Sequence, residues 1–300
     1  MHVAITGSSG LVGSALVEKL NEAGHRVTRV VRRQPEIGEM RWDPSKGTIQ
    51  DGALNGVDAV VNLGGAGIGD KRWTDDYKRE LVDSRLRGTK LLAETIAGSE
   101  TKPTVLLSGS AIGIYGARGD EELVETSELG VGFLAELCED WEAATAAATA
   151  AGVRTVHLRT GIVLSPTGGA LKKQLPLFKF GLGGKMGSGK QWQSWVSIDD
   201  EVGAIIHLLT SQISGAVNIT APHPVTQGEF AQTLACVLSR PAFLPIPSFG
   251  PKILLGAELA DNLLFTGQRV LPAALSADGF TFRHRELEPA LRELLGHPSR

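Results

Sequence analysis

The chain has 300 residues, of which 42% are hydrophobic and 21% charged, and a formal net charge of −3 at pH 7. This length allows one large α/β domain or two modest ones with a substantial core. So small a net charge gives no reason to expect nucleic acid or an anionic membrane as a partner. Because no basic and apolar leader and no uncharged apolar stretch of about 18 residues is visible, we expect neither a signal peptide nor a membrane span.

The two cysteines, Cys138 and Cys236, both occur in apolar, helix-like contexts. We expect no disulfide framework, and a reducing cytoplasm is the expected location. Neither cysteine has the spacing of a metal ligand, and no other group of His, Asp and Glu residues has it, so we predict no metal site.

Short apolar runs alternate with amphipathic stretches along the first half of the chain. In chain order, the predicted elements are strand Val3–Ile5, helix Leu11–Ala23, strands Val27–Val31, Met40–Trp42 and Ala59–Leu63, helix Thr74–Ala97, strand Val105–Leu107, helix Phe133–Ala151 and strand Val153–Leu158. The fourth strand is apolar throughout, as a strand covered on both faces requires. Alternation of this kind predicts a doubly wound parallel sheet with right-handed crossovers.

The alternation weakens from about Ser165. The segment Gly181–Gly189 contains five glycines in nine residues and is predicted to be a loop. Thr226 and Glu229 have the spacing of a capping box, which predicts a helix from there to about Leu238. A proline-containing segment through Pro251 follows, and Glu286–Leu295 is predicted to be a last amphipathic helix.

The segment Thr6–Gly13 follows the first strand directly and begins the first helix. Its first glycine permits a tight turn, its second lets a phosphate approach the backbone, and its third lets the helix pack closely on the strand. The free amides at the helix start and the helix dipole then hold a diphosphate. The alternative is a glycine-rich turn without a ligand. The residues expected to contact a dinucleotide here are Gly7, Ser9, Gly10, Leu11, Val12 and Gly13.

The second strand ends in Val31, Arg32 and Arg33, and no Asp or Glu occurs between Glu22 and Glu36. A site for NAD usually places an acidic residue near this point, where it binds the ribose 2′-hydroxyl. Two guanidinium groups suit a 2′-phosphate instead, so we predict that NADP(H) is preferred over NAD(H). The alternative is that the two arginines form a solvated strand end.

The loop after the fourth strand begins with Leu63, Gly64 and Gly65. Ligands of open α/β sheets bind beyond the carboxyl ends of the strands, so this loop is predicted to line the adenosine or ribose. These features predict an α/β protein with a Rossmann-type doubly wound parallel sheet in residues 1–164 and a smaller C-terminal α+β lobe in residues 165–300. Segments at about 194–220, including Val217–Ile219, are expected to return to the main sheet.

These features together resemble the extended short-chain dehydrogenase/reductase superfamily, whose members include sugar-nucleotide epimerases. The further segments that resemble its motifs are Arg85–Thr89, Ser108–Ser110, Ile114–Gly116 and Trp195–Asp200. A narrower resemblance covers nearly the whole chain. It is to an atypical epimerase-like family that includes bacterial YfcH-like proteins and a human member, with a C-terminal segment of the DUF1731 type. The segments that resemble this family are Arg72–Trp73, Ser84–Leu86, Phe133–Ala135, Trp141–Ala143, Arg159–Leu164, Gly181–Gly184, Gly187–Gly189, Gln268–Pro272 and Gly279–Phe282.

The chain departs from the superfamily at its catalytic residues. The superfamily uses a Tyr and a Lys four residues later, in which the Lys lowers the pKa of the Tyr that moves the proton. In the corresponding stretch, Gly132–Cys138, Phe or Leu stands in place of the Tyr and Leu or Cys in place of the Lys. Arg85 stands in place of a nearby Asn, and only a serine, Ser108 or Ser110, is retained.

The resemblance implies further site residues. It places Glu80 and Arg85 at the cofactor, with an exposed helix charge as the alternative for Arg85. Arg159 ends a strand and is expected to approach the nicotinamide or the substrate. Tyr115 follows the fifth strand and is the first choice for a substitute proton donor, with a packed aromatic as the alternative. The predicted catalytic pair is therefore Ser108 and Tyr115.

The sequence leaves two functions open. The first is an NADP(H)-dependent oxidoreductase or epimerase-like enzyme with a non-standard site, which acts on a small molecule such as a sugar nucleotide or a carbonyl compound. The second is a catalytically silent NADP(H)-binding sensor or scaffold, which the loss of the Tyr and the Lys favours. The substrate, the reaction direction and the oligomeric state are not predicted.

Overall fold

One eight-stranded sheet organises the computed structural model, which describes residues 1–242 and 245–297. The elements up to the fifth long strand are β1 His2–Thr6, α1 Leu11–Glu22, β2 Arg26–Val31, β3 Glu39–Asp43, β4 Thr48–Ile49, β5 Ala59–Asn62, α2 Asp75–Gly98 and β6 Val105–Ala111. Next come β7 Glu122–Leu123, α3 Phe133–Ala143, α4 Ala146–Ala150, β8 Arg154–Thr160, β9 Ile162–Leu164, α5 Gly169–Lys179, β10 Trp192–Gln193, β11 Trp195–Ser197, α6 Ile198–Thr210 and β12 Gly215–Ile219. The last are β13 Val225–Thr226, α7 Gln227–Val237, α8 Phe249–Leu255, α9 Ala257–Leu263, β14 Arg269–Val270, α10 Ala273–Ala277 and α11 Leu287–Leu294.

The main sheet has the strand order β12-β8-β6-β5-β1-β2-β3-β4, and its pairs are parallel except for the edge pair β3–β4. The predicted doubly wound parallel sheet is therefore confirmed. β12 pairs with β8 in this sheet, so the segment around residue 217 returns to it. All parallel strands end at the same edge, which gathers the loops after β1, β2, β5, β6 and β8 in one place.

Helices cover both faces of the sheet. Val3 and Ile5 of β1 pack in one core with residues of α1 and α6. Ala4, between them, packs in a second core with Trp42 and the α2 residue Leu92. Successive side chains of a strand point to opposite faces, so burial of both faces requires the nearly continuous apolar runs seen in the sequence. Each fully buried aliphatic side chain contributes about 1.5–3 kcal/mol to folding.

The predicted single helix Phe133–Ala151 is wrong, because the helix breaks into α3 and α4 around Thr145. The Thr145 side chain is 2% exposed, and its hydroxyl donates to the carbonyl of Glu142 at 2.7 Å. The same hydroxyl lies 2.9 Å from Nε2 of His157 on β8. A buried threonine that bonds its own backbone and a neighbouring strand competes with regular helical bonding. Alanine content alone carries no sign of this break.

The remaining described residues form a smaller lobe beside the carboxyl ends of the strands. Its core joins Leu171 and Phe178 of α5 to Phe230 of α7 and Leu291 of α11. The predicted capping box is present: Thr226 accepts from the backbone of Glu229, whose carboxylate accepts from the backbone of Thr226. The predicted last helix is α11. The predicted proline-containing segment includes residues 243–244, which lie outside the described residues, and its end forms the start of α8.

A buried carboxylate ties this lobe to the sheet. Asp200, in the first turn of α6, accepts hydrogen bonds from the backbone of Arg283 at 2.7 Å and of His284 at 2.9 Å. The His284 ring, 3% exposed, lies 2.9 Å from the hydroxyl of Ser197 and 3.0 Å from a carboxylate oxygen of Glu293. These bonds fix the chain before α11 against the start of α6. Within the described ranges no helix is both long enough and apolar enough to cross a membrane.

Candidate active site at the carboxyl ends of the strands

The loop between β1 and α1 is shaped by three glycines. Gly7 has a φ of +65°, and a Cβ there would lie 2.5 Å from the carbonyl oxygen of Leu63. A Cβ on Gly13 would overlap the carbonyl of Gly7, so the first turn of α1 lies directly on the loop. Gly10 has an ordinary φ of −76° and is the N-cap, yet no side chain caps the helix. The amides of the first turn therefore remain available to an anion.

A buried network holds the next loop beside the glycine loop. The hydroxyl of Thr6 donates to Asn62 Oδ1 at 2.7 Å and accepts from the backbone of Gly64 at 3.2 Å. The Asn62 amide donates to Thr89 at 2.8 Å and to Ser108 at 3.3 Å. These bonds join the ends of β1, β5 and β6 to α2. They leave Gly64 half-buried and Gly65 exposed, with Leu63 half-buried before them, at the edge where the sequence places the ribose.

Arg33, just after β2, has an acidic partner at the start of β3 that the sequence did not indicate. Arg33 donates to Glu39 at 2.7 Å and lies 3.4 Å from Glu36. Arg32 is exposed, and no salt bridge of its own is found among the described residues. A backbone hydrogen bond from Glu36 and the pairing with Arg33 lower the pKa of Glu39 despite partial desolvation. Of the two arginines, Arg32 is therefore the more available to bind a 2′-phosphate of the cofactor. Val31, the residue before it, is the last of β2.

The glycine loop is also bordered by the start of α1 and the turn before α5. Leu11 and Val12, in the first turn of α1, are half-buried, while Ser9 before them is exposed. A Cβ on Gly168 would lie 2.8 Å from a methyl carbon of Leu11, so the turn after β9 packs directly on the start of α1. Glu80, on α2, is exposed and pairs with Lys71 at 3.0 Å. In this structure the Glu80 carboxylate therefore pairs with Lys71 and not with the glycine loop.

The inner face of α3 replaces the expected Tyr and Lys with apolar groups. Leu134 is half-buried and lies 3.5 Å from the position of a Cβ on Gly113. Cys138 follows one turn later, is 4% exposed, and burial raises its pKa to about 11. At neutral pH it is a protonated thiol. Neither side chain can lower the pKa of a neighbouring acid or supply a proton in the way the missing pair would.

Glu142 lies one further turn along the same face of α3 and accepts hydrogen bonds from the polar groups below it. Its two oxygens accept from Nε and Nη2 of Arg159 at 2.9 and 3.0 Å, which is a two-point ion pair. The same carboxylate accepts from the Ser110 hydroxyl at 2.6 Å. Burial opposes ionisation, but the bonds from Arg159 and Ser110 outweigh it and lower the pKa of Glu142. The spacing of Leu134, Cys138 and Glu142, four residues apart, was the signal in the sequence that could have identified Glu142.

The predicted roles of Arg159, Tyr115 and Ser108 as residues that touch ligand are not supported by this geometry. Arg159 is 5% exposed and already held by Glu142 and by the phenol of Tyr115, to which it donates at 3.0 Å. Tyr115 is fully buried and donates to Asn218 Oδ1 at 2.7 Å. Burial raises its pKa. Ser108 is fully buried within the Asn62 network. The packed-aromatic alternative for Tyr115 fits this arrangement, and Ser110 lies nearer the strand end.

Arg85, unlike Arg159, has no charged partner among the described residues. Its stem lies against the loop after β5, since a Cβ on Gly65 would be 3.3 Å from Arg85 Cγ. Its guanidinium carbon lies 5.1 Å from the centre of the Trp141 ring, and Nη1 donates to the carbonyl of Leu81 at 3.1 Å. Burial lowers its pKa. In the part of the chain that the structure describes, no cluster of three or more His, Cys, Asp or Glu side chains is arranged to hold a metal ion.

Comparisons with known proteins agree on one family. The sequence model described as "NAD dependent epimerase/dehydratase family" matches residues 3–220, and that of a "Domain of unknown function (DUF1731)" matches residues 246–294. An epimerase family protein of Mycobacterium leprae is 43% identical over 299 residues, which are 99% of this chain and 96% of that protein. The human epimerase family protein SDR39U1 is 36% identical, with coverage of 98% of this chain and 100% of that protein.

Two solved structures are similar over almost the whole chain. The crystal structure of human SDR39U1 (isoform 2) with NADPH superposes with a TM-score of 0.91 at 34% identity, covering 99% of both chains. The structure of a nucleoside-diphosphate sugar epimerase from Corynebacterium glutamicum superposes with a TM-score of 0.81 at 40% identity. It is covered over only 59% of its own length, against 99% of this chain.

Proposed function

The chain belongs to the NAD dependent epimerase/dehydratase family, and from that premise we propose that it is an NADP(H)-binding epimerase- or oxidoreductase-like protein with a non-standard site. The observation on which this rests is the glycine loop that leads into the uncapped first turn of α1. That turn fits a dinucleotide diphosphate, because its amides have no side-chain partner and the close backbone leaves no room for side chains. The NADPH in the human relative's structure supports the proposal.

The cofactor contacts that we propose follow the strand ends. The diphosphate would lie on the first turn of α1, the adenosine ribose at the end of β2 and the nicotinamide ribose toward α2 and β8. When bound, the dinucleotide supplies a hydride donor or acceptor. The residues proposed to contact it are Gly7, Ser9, Gly10, Leu11, Val12, Gly13, Val31, Arg32, Arg33, Leu63, Gly64, Gly65, Glu80 and Arg85. Arg159 is proposed to support this site without contact to the dinucleotide, through its bonds to Glu142 and Tyr115.

A preference for NADP(H) over NAD(H) is a finer part of the proposal. The exposed guanidinium of Arg32, with Arg33 beside it, suits a dianionic 2′-phosphate. Two carboxylates, Glu36 and Glu39, lie close to Arg33, and Glu39, which is the nearer, could oppose this preference by accepting from the ribose hydroxyl. Because Glu39 is already paired with Arg33, we expect the site to bind the 2′-phosphate of NADP(H) more tightly than the 2′-hydroxyl of NAD(H).

The substrate class is open between a sugar nucleotide and a small carbonyl compound. The Corynebacterium relative's description as a nucleoside-diphosphate sugar epimerase supports the former. On α3, Leu134 and Cys138 provide no acid or base, so the proton must come from another group or from water. Ser110, near the carboxyl end of β6, is 5% exposed, and its proton is directed to Glu142. It can therefore accept a hydrogen bond from a substrate hydroxyl more readily than it can donate one.

A catalytically silent NADP(H)-binding sensor or scaffold is the second candidate function, and the apolar inner face of α3 favours it. The two candidates differ in a direct experiment. Calorimetric titration with NADPH and NADH measures binding, and near-ultraviolet absorbance follows NADPH consumption against a panel of sugar nucleotides and small carbonyl compounds. The enzyme binds and turns over a panel member. The sensor binds and turns over none, but its loading with NADPH changes its affinity for a partner protein. Failure to bind either dinucleotide would contradict both.

We also propose that the partners are small molecules, with neither nucleic acid nor a membrane among them. The net charge of −3 supports this. A cytoplasmic location is part of the same proposal, and the free thiols Cys138 and Cys236 suit a reducing compartment.

A further inference from the structure

A closed circuit of chain and side-chain contacts passes through the amino end of α1. At the glycine loop, a Cβ on Gly7 would lie 2.5 Å from the carbonyl oxygen of Leu63. The loop after β5 leads from Leu63 to Gly69, whose carbonyl accepts a hydrogen bond from Lys173 of α5 at 3.0 Å. From Lys173, α5 leads back to the turn that packs on Leu11 at the start of α1. A diphosphate on the uncapped amides of α1 would therefore lie within this circuit.

The three junctions of the circuit differ in how firmly they are held. The glycine loop and the loop after β5 are joined by the buried hydrogen bonds between Thr6, Asn62 and Gly64. The turn before α5 lies in direct carbon contact with Leu11, with no room for a further side chain. The third junction is made by Lys173, whose side chain is 65% exposed. Lys173 is therefore the point at which the circuit opens most easily.

The contacts of Lys173 across this third junction are weak ones. Its Nζ atom donates to the carbonyl of Gly69 and lies 3.8 Å from Oδ1 of Asp70, whose side chain is also 65% exposed. One backbone hydrogen bond and one exposed ion pair together hold the closed arrangement by a factor of about ten at most. Rotation of the flexible lysine stem is enough to break both contacts.

The opposite side of this junction is fixed. The loop after β5 is fastened to α2, because the amide of Ala66 donates to the hydroxyl of Ser84 at 3.0 Å. One residue further on, the carbonyl of Gly67 accepts from the hydroxyl of Tyr77. Opening by movement of this loop would break these contacts, whereas opening at Lys173 leaves them intact.

The preceding residue on α5 provides a contrast. Lys172 is exposed as well, but no salt bridge involving it is found in the described part of the chain. A lysine that only keeps a helix surface solvated needs no partner. Lys173 instead reaches across to the loop after β5, 104 residues away in the sequence.

We propose that Lys173 forms a clasp with Gly69 and Asp70 that closes over the bound dinucleotide and gates its entry and release. This inference rests on the proposed function, because it takes the diphosphate to lie on the first turn of α1. A clasp that is closed most of the time reduces the fraction of protein open to exchange. It therefore slows association and dissociation by similar factors and changes the dissociation constant little.

The test is a stopped-flow measurement of NADPH binding, followed by energy transfer from the five tryptophans to the dinucleotide. The dependence of the observed rate on NADPH concentration gives the association rate constant. Displacement of bound NADPH by excess NADP⁺ gives the dissociation rate constant. We expect Lys173→Met, which keeps the length of the stem but not its charge, to raise both constants about five- to tenfold.

Three further variants make the test specific. Asp70→Asn is expected to raise both rate constants by a smaller factor, because the bond from Lys173 to Gly69 remains. Lys173→Arg, which can still donate to that carbonyl, should keep both constants near the wild-type values. Lys172→Met is the matched control on α5 and should change neither. All these positions are exposed, and the thermal midpoint of each variant checks that it folds.

The two rate constants distinguish a clasp from a direct contact with the cofactor. If Lys173→Met raises only the dissociation rate and Asp70→Asn does not raise it, Lys173 binds the dinucleotide itself and the inference is wrong. Rate constants of Lys173→Met equal to those of the wild type would also overturn it. In both cases the wild type still binds NADPH, so the proposed function stands. Absence of NADPH binding to the wild type would instead contradict the proposed function, and the clasp with it.

Discussion

Glu142 and Arg159 form a two-point ion pair that joins α3 to β8, with the side chain of Arg159 7% exposed and that of Glu142 13% exposed. Ser110 and Tyr115 complete the hydrogen bonding of the pair. Two charges at this depth are compatible with folding only while each compensates the other. The ion pair therefore lies below the strand-end site. Together with Ser110 it links β6, β8 and α3.

Glu142→Gln is expected to destabilise the fold by about 3–5 kcal/mol, because it leaves the buried Arg159 uncompensated. Urea denaturation followed by circular dichroism measures the change. Glu139→Gln, on the exposed side of the same helix, is the matched control and should change the free energy of unfolding by no more than about 0.5 kcal/mol. Equal effects of the two substitutions would show that the ion pair contributes nothing.

Gly10→Asp is expected to abolish dinucleotide binding while the fold is retained. A Cβ on Gly10 would lie 3.2 Å from the carbonyl oxygen of Gly7, so the loop must shift by a few tenths of an ångström. The φ of −76° suits any residue and Asp is a favoured N-cap, so α1 should still form. Its carboxylate would occupy and repel the position of the diphosphate. Calorimetry with NADPH measures the loss, and Asn21→Asp, with the same added charge at the far end of α1, is the control. Undiminished affinity in Gly10→Asp would refute the placement of the diphosphate.

Replacement of both Arg32 and Arg33 by Ala is expected to weaken NADPH binding by about 1.5–3 kcal/mol, or roughly 10- to 150-fold, as for charge-assisted hydrogen bonds. NADH, which lacks the 2′-phosphate, serves as the matched ligand and should lose little. Because Arg33 is paired with Glu39, the single change Arg32→Ala should account for most of the loss. Equal losses for the two dinucleotides would remove the argument for NADP(H).

Glu201 should make the stability depend on pH. It is 1% exposed, Oε1 accepts from Thr160 at 2.8 Å, and Oε2 has no partner among the described residues. Burial raises the pKa of Glu201 to about 8 from an ordinary value of 4.5. The folded state therefore retains a proton that the unfolded chain has released, and its stabilisation is complete below pH 4.5 and lost as the pH rises to about 8.

Glu201→Gln removes this titration and keeps an acceptor for Thr160. We expect the free energy of unfolding of the wild type to fall relative to the variant by up to about 1.4 kcal/mol per pH unit within that window. Urea unfolding of both proteins at pH 5.5, 7 and 8.5 measures the difference between their free energies of unfolding. Contributions from other titrating groups are the same in both proteins and cancel in this difference. Parallel curves for the two proteins would mean that Glu201 is ionised in the folded state.

Much of the fold could be predicted from the sequence, and less of the site. The strands and helices from β1 to β6, apart from the unpredicted β4, lie within a few residues of their predicted bounds, because apolar periodicity and glycine turns are local signals. The break at Thr145 was missed, since it depends on His157 of a neighbouring strand. The glycine loop and the two arginines after β2 were identified, but Glu39, which pairs with Arg33, was not.

The sequence by itself determined the order of the elements, the glycine loop and the absence of the Tyr–Lys pair, since each depends on residues close together in the chain. Only the tertiary structure decided that Arg159 and Tyr115 are held by Glu142 and Asn218, and that Arg85 has no acidic partner within the described part of the chain. The reason is physical. Whether a charge is paired depends on which side chains from distant segments meet within about 4 Å, and strand register and helix packing set that distance while local pattern does not.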